Sequence, residues 1–110
     1  DATAEEVEEK SLAEFSIIPM QPIVTNLADS SKVWVRLEGS VLVDTKSEPK
    51  PEVLAVKLSQ HVLAYLRTLK VINLQGAGAL QAITQDLNEI IASASEGQAQ
   101  GVLISGLVFE

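Results

Sequence analysis

Residues 33–44, VWVRLEGSVLVD, alternate apolar and polar positions. Val33, Val35, Leu37, Val41 and Val43 fall on one side, and Trp34, Arg36, Glu38, Ser40, Leu42 and Asp44 on the other. That period belongs to a long strand with one buried face. Gly39 falls on the apolar side, where a bulge or a close backbone contact is expected. Residues 15–27, FSIIPMQPIVTNL, also read as extended, but Pro19 and Pro22 cannot donate to a ladder. This segment is therefore an edge strand, or a strand that begins after Pro22. Asn26 is expected to close it, bonding its side chain to nearby backbone and tolerating left-handed geometry. ADSSK, residues 28–32, reads as a turn.

The period then changes. After a loop at 45–51, Pro51 suits a first helical position. Leu54, Leu58, Val62, Tyr65 or Leu66, and Leu69 recur at spacings of three and four, predicting a helix to about Leu69. Val71, Ile72 and Leu74 make a short connection. A second helix is predicted over roughly 77–94, entered through Gly76 and Gly78, with a stripe of Leu80, Ile83, Leu87, Ile90, Ile91 and Ala94. Gly97 is placed to take the left-handed conformation past its end. Residues 101–109, GVLISGLVF, are apolar at both parities, which suits a central strand. The predicted fold is α+β: a small, mostly antiparallel sheet of three or so strands, with the two central helices packed on one face.

Composition narrows the functions open to this fold. A chain of 110 residues is one domain by size, and 46% apolar residues mark it as folded. Aromatics make up only 4%, so the core is aliphatic. With no cysteine, thiol catalysis, iron–sulfur clusters and cysteine zinc sites are excluded. The net charge of −7 is uneven: residues 1–14 hold six acids against Lys10, and residues 15–110 hold nine acids against seven bases. Residues 1–14 are read as an acidic linker or a loosely held helix, and 15–110 as the folded domain. Scattered bases make a nucleic-acid partner unexpected. The chain begins at Asp1, which is read as a fragment or processed product with a membrane anchor upstream. Acids next to such an anchor would hold the domain off anionic headgroups.

Little in the sequence points to catalysis. His61 stands alone inside a helix without an acid at i+3 or i+4, a poor metal site and more simply a surface or interface histidine. No G-x-S-x-G elbow occurs, and Ser105-Gly106 reads as small residues allowing close packing. Gly76-Ala77-Gly78 lacks the third glycine of a dinucleotide fingerprint and the Lys-Ser or Lys-Thr of a P-loop. No catalytic, metal or cofactor residue is assigned. The candidate site is instead a protein interface: Trp34 and Arg36, with Glu38 and Leu42 on the same face. Trp and Arg are common interface anchors. Equally, Trp34 could tuck under the N-terminal segment of its own chain.

PIVTNLAD (22–29) followed by the long strand, NLQGAGALQAITQDLNEII (73–91) and VLISGLVFE (102–110) together resemble the periplasmic domain of the FliL family, flagellar basal-body-associated proteins. The resemblance covers about residues 15–110. It implies a stomatin-like fold and a single-pass anchor preceding the domain. It also implies a place on the periplasmic side of the bacterial inner membrane. Family members are thought to form rings around the stator units of the flagellar motor, supporting torque, motility and with it chemotaxis. The implied partners are further copies of the chain, the stator proteins and, through the anchor, the membrane. No catalysis or cofactor is implied. A periplasmic sensor or adaptor domain, binding a small molecule or lipid between its aliphatic helices, is the alternative. An enzyme centred on His61 is the third.

Overall fold

The long strand forms the axis of the molecule. In the computed structural model, which describes residues 15–46 and 49–110, the elements run in this order. Strands β1 (Phe15–Pro19), β2 (Ile23–Leu27) and β3 (Ser30–Asp44) precede helix α1 (Pro51–Leu66) and a 3-10 turn (Val71–Leu74). Helix α2 (Ala79–Ala94) and strand β4 (Ala99–Phe109) complete the chain. The reading of residues 1–14 as linker or helix lies outside the described residues.

All pairing is antiparallel and all of it runs through β3. β1 lies along Ser40–Asp44 and β2 along the Ser30–Leu37 stretch of the same edge, so the two act as one edge strand broken at Met20–Pro22. The break falls where Pro22 has no N–H to give, while the Met20 N–H still donates to the Gly39 carbonyl at 3.0 Å. β4 pairs with the opposite edge of β3. It is thus an edge strand, not the central strand that its double apolar parity predicts. The parity arises because β4 changes phase: its register slips beside Glu38/Gly39 and again beside Leu42/Val43. Ser105 and Gln100 are the residues left without a facing partner, so each apolar half-run faces the core in its own register.

Gly39 allows this. A Cβ there would stand 2.5 Å from the Leu103 carbonyl oxygen, so only glycine lets the strands approach.

The helices cover one face of the sheet. Val35, Leu37, Val41 and Val43 of β3 are fully buried, as the alternation predicts. Against them lie Ala55, Leu58, Val62 and Leu66 of α1 and Ile83, Leu87 and Ile91 of α2. Sixteen buried apolar side chains fill the space between the layers among the described residues. Each fully buried aliphatic side chain contributes about 1.5–3 kcal/mol. Leu80, placed in the α2 stripe by its spacing, is 52% exposed: it sits in the first turn of α2, where it lines an open hollow with Leu107 and Phe109 of β4. Ile90 is half-buried and Ala94 exposed.

Chain ends and turns follow from local chemistry. α1 stops at Leu66 rather than Leu69, and the Thr68 hydroxyl donates to the Tyr65 carbonyl at 2.6 Å in its last turn. Leu69 is nevertheless buried, and its carbonyl accepts from the Ala28 N–H at 2.8 Å. The Asp29 carboxylate accepts from the Val71 N–H at 3.1 Å, tying the β2–β3 turn to the 3-10 segment. Gly97 has φ +84°, as expected, but Glu96 before it is also left-handed, at +54°.

Candidate protein-interaction surface

The face of the sheet turned away from the helices has no covering layer among the described residues. Alternation puts Trp34, Arg36, Glu38, Ser40, Leu42 and Asp44 of β3 along its middle. Register then places their neighbours. Val24 of β2, Arg36 and Val108 of β4 stand in one row across the sheet. Asn26, Trp34 and Glu110 stand in the next. Val24, Trp34, Arg36, Val108 and Glu110 line a shallow hollow. A second apolar group lies beyond Ser40, where Ile17 faces Leu42 and Leu103 faces Ser40. Val24, Trp34, Val108, Ile17 and Leu103 are each exposed by about half or more.

Arg36 and Glu38 separate the two apolar groups. The Arg36 Nε and Nη2 both reach the Glu38 Oε1, at 2.9 and 2.8 Å. Both side chains remain about half exposed, so the pair adds at most about 1 kcal/mol to stability. The pair also keeps hydrogen-bonding capacity for a partner, since a guanidinium has five N–H donors and two of its nitrogens are engaged with Glu38.

The sequence-predicted residues are therefore brought together in part. Trp34, Arg36 and Glu38 are contiguous; Leu42 is half-buried and belongs with the Ile17 group. Val24, Val108, Ile17 and Leu103 are added by the sheet. For Val108 and Leu103, the signal available in the sequence was Ser105-Gly106, a small pair inside an apolar run, which marks the bulge that turns them outward.

Asn26 holds the end of β2 beside this face. Its side-chain amide donates to the Ser31 and Val33 carbonyls at 3.1 and 3.4 Å. The expected side-chain bonding is present. The expected left-handed backbone is not, since Glu96 is the one described non-glycine residue with positive φ. A register shift between Asn26 and Leu27 makes the turn instead.

The Tyr65 hydroxyl donates to the Asp86 carboxylate at 2.8 Å, joining the two helices. Burial, and then the bond to the Asp86 anion and its charge, push the Tyr65 phenol well above its usual range. His61 is exposed on α1. Among the described residues, no group of three His, Cys, Asp or Glu could hold a metal ion, and no helix is long and apolar enough to cross a membrane.

The family model for the flagellar basal body-associated protein FliL matches residues 17–109, which takes in all but the first two residues of β1 and the whole of every later element. Among curated proteins no match was found.

Proposed function

The chain belongs to the FliL family of flagellar basal body-associated proteins, and on that premise we propose that it is a non-enzymatic interaction domain that self-assembles around stator units and supports them under load. The observation that carries this reading is the outer face of the sheet, which no described residue covers and where Trp34, Val24 and Val108 stand beside the Arg36–Glu38 pair. Solvent-facing aromatic and aliphatic side chains around a guanidinium are the composition of an interface core with its polar contact. The partners are further copies of the chain and the periplasmic part of the stator. The place is the periplasmic side of the inner membrane, reached through an anchor preceding Asp1. Such an anchor would supply the effective concentration that a modest interface needs.

Sedimentation of the free chain and of the chain fused to a membrane anchor in detergent tests the assembly. A discrete oligomer in the anchored form is expected, with the free chain monomeric in dilute solution. Monomers in both forms would end the self-assembly reading.

A further inference from the structure

The two edges of the sheet are open over only part of their length. Trp34 and Glu110 exchange both backbone hydrogen bonds, at 2.9 Å each. In an antiparallel ladder the pairs of this kind alternate, so Val108 also points its N–H and C=O at β3, and Leu107 and Phe109 point theirs away. Farther back along β4 two outward N–H groups are capped by α2 and the turn that follows it. The Val102 N–H donates to the Asn88 Oδ1 and the Ala99 N–H to the Ser95 Oγ, both at 2.9 Å. Among the described residues, the C-terminal half of β4 carries no such cap and remains as an edge.

The opposite edge has a matching opening. The Gly39 carbonyl faces the β1–β2 side, which fixes the odd-numbered residues of β3 as the bonding set there. Ile23 and Thr25 bond to β3, and Val24 turns its N–H and C=O outward. β1 is a poorer edge, because Pro19 has no N–H, and it lies level with the capped half of β4.

We infer that the open half of β4 pairs with the β2 edge of a second copy of this chain, so that the sheet continues from one molecule into the next. Three features favour a second copy over another strand. The two open stretches lie level, since Val24, Arg36 and Val108 share a row. They run in the same direction, both being antiparallel to β3, so a copy rotated about an axis parallel to the strands presents β2 in parallel register. And neither stretch carries a charge that the other repels: Glu110 falls in the row of Asn26. The contact joins unlike surfaces head to tail, the kind that closes into a ring when the rotation allows. It would also make the Val24–Trp34–Val108 group continuous across molecules. The inference rests on the self-assembly reading and specifies its contact.

The chain has no cysteine, so introduced ones report cleanly. Val24→Cys and Val108→Cys project from the outer face, where the proposed pairing sets them side by side. The full chain would be tethered at high density by an N-terminal histidine tag to vesicles bearing nickel-chelating lipid, and oxidised mildly. The double variant is expected to give a ladder of disulfide-linked dimers, trimers and larger species, and each single variant none. Efficient dimers from Val108→Cys alone would mean two-fold β4–β4 pairing and overturn the inference. No ladder, with a discrete oligomer still seen by crosslinking through lysines, would overturn it and leave self-assembly standing. No oligomer by either route would end both. Independently, Val24→Pro removes an outward N–H without touching the ladder to β3. It should raise the concentration for half-assembly about tenfold, as the loss of one hydrogen bond with its acceptor left unpaired implies, with the melting temperature kept. Unchanged assembly of a folded Val24→Pro would also overturn the inference.

Discussion

A Cβ on Gly39 has nowhere to go, because the Leu103 carbonyl is backbone and cannot swing aside. Gly39→Ala should therefore destabilise the fold by about 1–3 kcal/mol, measured by urea denaturation. This constraint was legible in the sequence, since a glycine on the apolar side of an alternating strand marks a bulge or a close backbone approach. The bond between Tyr65 and Asp86 was not, because residues twenty-one positions apart show no local signal. It has a readout of its own, for the chain has one tyrosine. Absorbance at the phenolate band should titrate well above the usual tyrosine midpoint of about 10, and Asp86→Asn should bring it back toward that value. Stability is linked to the same proton. The unfolded chain loses it first, so the contribution is complete below about pH 10 and declines as pH rises above it. A wild-type phenol titrating at the ordinary midpoint would disprove the link.

Among the elements, the helices and the long strand were legible because each repeats its own period over many residues. β4 was misplaced for a physical reason. Two register slips put apolar residues on both parities, which imitates a strand buried on both sides. What protects the middle of its edge is one side chain from α2. Asn88→Ala would leave the Val102 N–H without its acceptor and should cost about 1–3 kcal/mol in thermal or urea unfolding. Hydrogen exchange at Val102 should rise with it, while exchange at Val41 in the middle of the sheet changes far less. The early stop of α1 was also hidden. Leu69 keeps the helical spacing and its burial, but it is held by the turn and by the Ala28 N–H rather than by a further helical turn.

At the scale of the molecule, a two-layer fold with the helices together on one face was legible from element order alone. The candidate surface was legible only along β3, where alternation names its residues; its breadth comes from β1, β2 and β4, which only the register assembles. Trp34→Ala and Arg36→Glu are both expected to weaken assembly of the anchored chain, the first by roughly thirtyfold, equivalent to about 2 kcal/mol for an interface anchor. Melting temperatures should hardly move, because neither side chain is part of the core. Wild-type sedimentation of both variants would take this face out of the contact. Trp34 has one more consequence. It is the only tryptophan in the chain and half of it lies in solvent. The intrinsic fluorescence of the protein therefore reports on this face almost alone. Whatever comes to cover it, copy or stator, should shift the emission to the blue and shield it from iodide. Binding can then be followed in unlabelled wild-type protein by light alone.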